Sequence, residues 1–235
     1  MADGGNGKRM RDAASQQALQ SAKARGASTA LDRYEAQQPS CRFGKQGICC
    51  RLCNMGPCRV GASAKGERVG VCGANAETVA ARNLLRMIAA GCAAHSDHGR
   101  DVAHTFVLMA QGKAKDYGIK DEGKLKKVAA LYGVETASKS VKQIALEVGE
   151  KALAEFGQQE GELKLMQRAP EKRLQLWRKL GLMPRGIDRE IVECMHRTHM
   201  GVDTDYRNIL RHGLRTALGD GWGGASGPGK GQGKK

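Results

Sequence analysis

The residues of this sequence best suited to chemistry are its eight cysteines, because six of them fall between positions 41 and 72. Their spacing is Cys41-x7-Cys49, followed by Cys50-x2-Cys53-x4-Cys58-x13-Cys72. The first thirty residues are basic and lack the apolar run of a secretory signal, so we expect a cytoplasmic protein with reduced thiols. Clustered thiols in a reducing compartment indicate metal ligation rather than a disulfide framework.

The last four cysteines of this spacing form a second group, and they predict a site with four thiolate ligands: Cys50, Cys53, Cys58 and Cys72. Its short C-x2-C-x4-C segment contains Gly56 and Pro57 and can bend around three corners of an iron–sulfur cubane, while Cys72 closes the fourth. A tetrathiolate zinc site is the alternative, since zinc also uses a C-x2-C pair. Zinc ribbons normally end in a second such pair, which this sequence lacks, so the spacing favours iron and sulfur.

Cys41 and Cys49 are left without two further ligands. Cys49 is adjacent to Cys50, so the two side chains diverge and do not both serve one cubane. Either Cys41 and Cys49 are structural thiols, or a second copy of the chain supplies the other pair across a two-fold axis. The isolated Cys92 and Cys194 are predicted to be buried, as free cysteines commonly are.

The loop and the helices differ in their pattern. Glycines recur every few residues from Cys41 to Gly73, which excludes a regular period. Apolar residues then recur at helical spacing without strand-like alternation, so the predicted class is all-α, a helical domain preceded by a Gly/Cys-rich cluster-binding loop. We predict helices near residues 13–24 and over 74–91, 141–157, 170–181 and 187–201, and one before Gly219 capped by Asp203. The predicted division is a flexible basic arm (1–29), the cluster loop (30–73), the helical domain (74–220) and a disordered Gly/Lys tail (221–235).

The charge balance suggests an anionic partner. Lys plus Arg number 39 against 24 for Asp plus Glu, a formal charge of +15. A zinc-stapled basic nucleic-acid-binding module is therefore the alternative function, although an aromatic content of 4% leaves few rings for stacking on bases. No apolar run is long enough for a transmembrane segment. A lysine-rich stretch is predicted to be a solvated surface or a docking surface for an acidic electron carrier; it comprises Lys113, Lys115, Lys120, Lys124, Lys126 and Lys127.

Three stretches of this sequence resemble the amino-terminal helical domain of the anaerobic nickel–iron carbon monoxide dehydrogenases. They are CRFGKQGICCRLCNMGPCRV, VCGANAETVAARNLLRMIAAGCAAHSDHG and CMHRTHMGVDTDYRNILRHGLRTALGDGWGG, and the resemblance runs from about Ala30 to Gly224. It implies that the second cysteine group holds the [4Fe-4S] relay known as the B-cluster. It also implies a homodimer in which Cys41 and Cys49 share the bridging D-cluster with their counterparts.

The resemblance implies a proton path and an electron path. His95, His98 and His104 match a histidine row that carries protons from the active centre, with Asp101 where many members have another His. Solvated or helix-capping histidines are the simpler interpretation of the same row. Complete family members oxidise CO with water and pass the electrons to ferredoxin.

The resemblance also indicates what this sequence lacks. The family's Ni–Fe–S C-cluster is held by domains that follow the helical one, and no cysteine lies beyond Cys194. We therefore expect a truncated or split member with no catalytic residue of its own, so that activity belongs to the complete assembly. The missing catalytic domains or an acetyl-CoA synthase are the expected partners, besides the electron carrier.

Overall fold

The computed structural model describes residues 12–221. The chain divides into two compact units, Met1–Gln46 and Gly47–Lys235. Apart from Gly221, the tail predicted to be disordered (221–235) lies outside the described residues, as does part of the flexible arm predicted for residues 1–29. The division into arm, loop, helical domain and tail remains a prediction.

The first unit consists of short, locally capped helices. They are α1 (Ala13–Ala24), α2 (Ala30–Ala36) and α3 (Arg42–Lys45), and the first confirms the helix expected near these residues. The side chain of Asp12 accepts a hydrogen bond from the Ser15 amide at 2.8 Å, and Thr29 and Asp32 form a reciprocal capping box. None of these helices has a buried residue, so capping and helix propensity, rather than a core, stabilise them.

The second unit begins with a loop that contains four short strands. They are β1 (Cys49–Cys50), β2 (Cys58–Arg59), β3 (Gly61–Ser63) and β4 (Gly66–Arg68). β1 pairs with β2 and β3 with β4, both antiparallel. A small apolar cluster of Val60, Ala74 and Val79 lies beneath them. Strands of two or three residues leave the class as predicted, all-α with a Gly/Cys-rich loop before the helices.

Helix α4 (Ala76–Ala110) is the central element of the second unit. It begins at Asn75, whose side chain accepts a hydrogen bond from the Thr78 amide at 2.9 Å. The predicted end of this helix at Gly91 is wrong. Its inward face continues beyond that residue at steps of three and four, through Cys92, Ser96, Gly99, Ala103 and Phe106.

The remaining helices pack around α4. They are α5 (Glu122–Leu131), α6 (Val141–Gly157), a 3-10 turn (Lys164–Arg168), α7 (Glu171–Lys179), α8 (Ile187–Arg197) and α9 (Tyr206–Gly219). α6, α8 and α9 contact α4 directly. The helices predicted from 141, 170 and 187 are confirmed, whereas α5 was not predicted. Within residues 12–221, no helix combines the length and apolarity needed to cross a membrane.

Helix α9 differs from its prediction in cap and in face. Asp205, not Asp203, caps it by accepting from the Arg207 amide at 2.8 Å, because Asp203 binds Arg197 at 2.7 Å. Helical spacing predicts an inward face shared by Tyr206, Ile209, Leu210, Gly213, Leu214 and Ala217, and this is wrong in part, since Leu214 is 59% exposed. Its inward face instead includes the buried polar residues His212 and Thr216.

Two helical glycines give a matched stability test. A Cβ at Gly149 in α6 would lie 2.6 Å from Cγ2 of Val107, a stiff β-branched side chain of α4, whereas a Cβ at Gly91 would meet nothing within 4 Å. We expect Gly149→Ala to destabilise the protein by about 1–3 kcal/mol through overpacking. Gly91→Ala should stabilise it by about 0.5–1 kcal/mol through helix propensity.

Urea unfolding of both variants checks this pair. Equal effects in the two variants would contradict the close approach of α4 and α6, and a loss of stability in Gly91→Ala would contradict a continuous α4.

Candidate metal centre

Strand pairing positions two of the predicted ligands. Cys50 in β1 lies directly opposite Cys58 in β2. Opposed residues of an antiparallel pair have Cβ atoms about 4.5–5.5 Å apart and project to the same face. The seven residues between them therefore form a closed turn, and this turn carries Cys53.

Gly56 allows that turn to close. A Cβ at this position would lie 3.1 Å from the Cys50 carbonyl oxygen and 3.2 Å from the Cys58 amide nitrogen. Both neighbours are backbone atoms that cannot rotate away, so only glycine fits without displacing a ligand residue. Gly56 also donates its amide to the Cys53 carbonyl at 3.3 Å.

Cys72 reaches the site from a tight turn just before α4. Gly70 donates its amide to the Ala74 carbonyl and Gly73 donates to the Gly70 carbonyl, both at 2.8 Å. A hydrogen bond from the Ala74 backbone, with a smaller contribution from the Arg82 guanidinium, lowers the pKa of the Cys72 thiol. This environment favours the thiolate, which is the form that binds metal.

The four cysteines of the second group line one pocket. Its other walls are mostly apolar, with Leu52, Val71, Val79 and Met200 among them, and Arg82 also reaches it. Among the described residues around this pocket, the ligand-type side chains are all thiols. A soft, four-thiol donor set fits an iron–sulfur cluster or a tetrathiolate zinc, and does not suit magnesium or calcium.

Cys49 and Cys41 are placed differently. Cys49 is half-buried and pairs with Arg59, so it projects to the opposite face of β1 from Cys50 and does not line the pocket. The expected divergence of the two adjacent cysteines is confirmed. Cys41 is exposed at the start of α3 in the first unit. A bridging cluster at these two residues stays a prediction.

The histidine row lies on one continuous stretch of α4. His95, His98, Asp101 and His104 are all exposed and follow one another at steps of three. His95 Nδ1 lies 2.8 Å from a carboxylate oxygen of Asp220. No break interrupts the helix between these residues, so the row follows a diagonal line along its surface. Its role in proton transfer stays a prediction.

The two isolated cysteines are buried, as predicted. Cys92 and Cys194 are 1% and 0% exposed. Burial raises the pKa of the Cys92 thiol to about 12 and that of Cys194 to about 11. His196 and His199, the histidines nearest Cys194 in sequence, are exposed. Cys194 instead contacts the Thr216 hydroxyl, with 3.0 Å between Sγ and Oγ1.

A buried ionic network between α8 and α9 was not predicted from the sequence. Glu190 is fully buried and accepts hydrogen bonds from Arg185, Arg215 and His212. Glu193 pairs with arginines too, including Arg197 at 3.0 Å. Glu190, Glu193 and His212 lie close enough to suggest a metal site. Their carboxylates already bind guanidinium groups, so this cluster is an ion-pair network.

The ionisation of the network follows from its contacts. Arg197 Nε donates to Nδ1 of His212 at 3.0 Å, which leaves Nε2 of this ring to donate to Glu190 at 3.0 Å. Burial opposes ionisation of Glu193, but hydrogen bonds from Arg185 and Arg197 outweigh it and lower the pKa of this carboxyl to about 2. His212 and Arg185 likewise hold the pKa of Glu190 far below its ordinary value despite burial.

Helical spacing contains a signal for the missed residues. Glu190 falls between the buried Ile187 and Cys194 on the inward stripe of α8, and Arg82 falls between Val79 and Leu85 on that of α4. A charged residue within a core stripe marks a buried charge that requires a partner.

Comparison with known proteins identifies the family. Residues 48–230 match the model of the Prismane/CO dehydrogenase family. The chain belongs to the Prismane/CO dehydrogenase family. It is 59% identical over 214 residues to carbon monoxide dehydrogenase 1 of Methanosarcina acetivorans, covering 91% of this chain and 34% of that protein.

Other relatives agree with this assignment. The beta subunit of carbon monoxide dehydrogenase/acetyl-CoA synthase from Moorella thermoacetica is 47% identical, covering 82% of this chain and 29% of the subunit. The Ni-free crystal structure of carbon monoxide dehydrogenase from Thermococcus sp. AM4 aligns with a TM-score of 0.81 at 49% identity, over 89% of this chain and 33% of that one. This CO dehydrogenase family chain thus spans about a third of the length of its relatives.

The depressed pKa of Glu193 predicts an acid-dependent stability. Its ordinary pKa of 4.5 applies in the unfolded chain, so the stability it contributes is fully present above pH 4.5 and is lost as pH falls towards about 2. We expect Glu193→Gln to lower the free energy of unfolding by about 2–3 kcal/mol at neutral pH, because the arginines lose their counter-charge.

That difference from wild type should shrink steadily as the solution is acidified below pH 4.5, as measured by urea unfolding. The exposed Glu160→Gln is the control and should show no such trend. A Glu193→Gln difference that is constant with pH would contradict the network.

Proposed function

We propose that this chain is the electron-relay part of a carbon monoxide dehydrogenase. In this proposal Cys50, Cys53, Cys58 and Cys72 hold a [4Fe-4S] cluster, the B-cluster of the family. The observation that supports it is that these four thiols line a single pocket. The family membership favours iron and sulfur over zinc, and the relatives reported above are CO dehydrogenases rather than nucleic-acid-binding proteins.

Each part of the pocket has a defined task in this proposal. A bound [4Fe-4S] cluster supplies reversible one-electron storage. The thiolates bind it, and Gly56 keeps the turn closed around three of them. The rest of the lining is mainly apolar, with Val79 buried and with Val71 and Met200 64% and 43% exposed. Exclusion of water and the hydrogen bonds around the sulfur atoms tune the potential of such a site.

We further propose a homodimer with a bridging D-cluster. Cys41 and Cys49 would each contribute one ligand, and a second copy of the chain would supply the other two. The support is their number, since two thiolates do not complete a tetrathiolate site, and Cys49 projects away from the four-cysteine pocket.

The complete reaction is proposed from the family. CO and water give CO2, two protons and two electrons, and a ferredoxin-like carrier takes the electrons. The Ni–Fe–S C-cluster where this occurs is not assigned to residues of this chain. We propose that the carrier docks at the mainly exposed lysines between residues 113 and 127, and that the exposed row His95, His98, Asp101 and His104 conducts protons. The name of the relative from Moorella thermoacetica supports an acetyl-CoA synthase as a further partner.

Substitution of one pocket cysteine tests the cluster. Cys53→Ala should abolish the cluster formed by the anaerobically purified chain, measured by iron and sulfide content and by broad absorption near roughly 400 nm. The loop up to Gly73 buries little apolar surface, so it should become protease-sensitive while helical circular dichroism falls only modestly. Cys92→Ala, a buried cysteine outside the pocket, is the matched control and should retain the cluster.

Other outcomes would contradict the proposal. Zinc in place of iron in the wild-type chain would return the site to the tetrathiolate alternative. Cooperative loss of the helices in Cys53→Ala would show that the loop belongs to the main core.

A double substitution tests the bridging site. Cys41→Ser with Cys49→Ser should remove one cluster per dimer and leave the four-cysteine cluster in each chain, because only the shared ligands are lost. Iron content combined with the mass of the assembly in solution measures this. A monomeric wild type with one cluster per chain, unchanged in the double variant, would exclude the bridging site.

A further inference from the structure

Arg82 is a buried cation beside the four-cysteine pocket. It lies in the second turn of α4 and is 1% exposed. Its Nη2 donates to the Asp203 carbonyl oxygen at 2.6 Å, and its Nη1 lies 3.8 Å from Sγ of Cys72. Its Nε is buried without a hydrogen-bond partner.

Among the described residues, these contacts give Arg82 no carboxylate partner. Within residues 12–221 its hydrogen-bond partners are a carbonyl oxygen and a sulfur atom, and neither is a carboxylate. The contrast with α8 and α9 is direct, because the arginines there pair with Glu190 and Glu193. A buried and uncompensated guanidinium is strongly unfavourable, so its position indicates that an anion belongs beside it.

The anion expected beside Arg82 would lie in the four-cysteine pocket. Arg82 itself lines it, and among the described lining residues it is the single charged side chain apart from the thiols. A cluster bound by four thiolates is net negative, and reduction adds one more negative charge. A fixed cation in an apolar wall stabilises the more negative form more strongly.

We infer that Arg82 is the counter-charge of the four-cysteine cluster and raises its reduction potential. The inference rests on the proposed function, since it needs a cluster in this pocket. It assigns to Arg82 a positioning role, because the residue acts through the electrostatics of the site and not as a ligand.

Redox titration of the anaerobically purified full chain, followed by electron paramagnetic resonance, tests the inference. Arg82→Met removes the charge at similar length, and Arg82→Lys keeps it. The control is Arg86→Met, one turn further along α4, where the side chain binds Thr198 Oγ1 at 3.0 Å and does not line the pocket.

We expect Arg82→Met to lower the ratio of reduced to oxidised cluster at a given potential by at least about tenfold, a shift of about 59 mV for one electron. Arg82→Lys and Arg86→Met should remain close to wild type. A wild-type potential in Arg82→Met would overturn the inference, and so would an equal shift in Arg82→Lys, since that would make shape rather than charge the cause.

Cluster content separates this inference from the proposed function. If Arg82→Met fails to hold iron, the test uses Arg82→Lys. A cluster retained in Arg82→Lys near the wild-type potential supports the role of charge, and loss of the cluster from Arg82→Lys overturns the inference. A wild-type chain without a [4Fe-4S] cluster would overturn the proposed function, and the inference with it.

Discussion

The attachment of the cysteine loop to α4 is the constraint on which the candidate metal centre depends. Between residues 47 and 73 the single fully buried hydrophobic side chain is Val60, so burial alone does not hold the turns of the loop. The side-chain amide of Asn83 donates to the carbonyls of Gly47 and Cys49, at 3.0 and 3.1 Å. These bonds fix β1 against the helix, and β1 in turn sets the register of Cys50 with Cys58. A polar contact of one side chain therefore positions half of the ligand set.

Residue spacing in the sequence was sufficient to predict the parts of the structure that depend on contacts between residues close in sequence. The Ser140–Gln143 capping box and the helix after it follow from contacts three residues apart. The grouping of Cys50, Cys53, Cys58 and Cys72 in one pocket agrees with their close spacing. Gly91 was misinterpreted because a glycine that ends a helix and a glycine tolerated inside one look alike locally, and tertiary packing decides between them.

The buried charges could not be predicted from the spacing of apolar residues, for a different reason. Apolar periodicity assumes that inward positions are hydrophobic, and α8 and α9 break this assumption with Glu190 and His212. Their partners Arg185 and Arg215 are separated from one another by thirty residues, so no short motif reveals the network. The same assumption predicts an inward Leu214, whereas the inward face of α9 carries His212 and Thr216 beside Ile209.

The continuity of α4 has a mechanical consequence. At a rise of 1.5 Å per residue, the thirteen residues from Arg82 to His95 extend over about 20 Å of unbroken helix. A continuous helix of this length couples the positions of its two ends. The side of the cysteine pocket formed by α4 and the exposed histidine row therefore lie on one continuous helix, and the distance between them changes only if α4 bends or its backbone hydrogen bonds break.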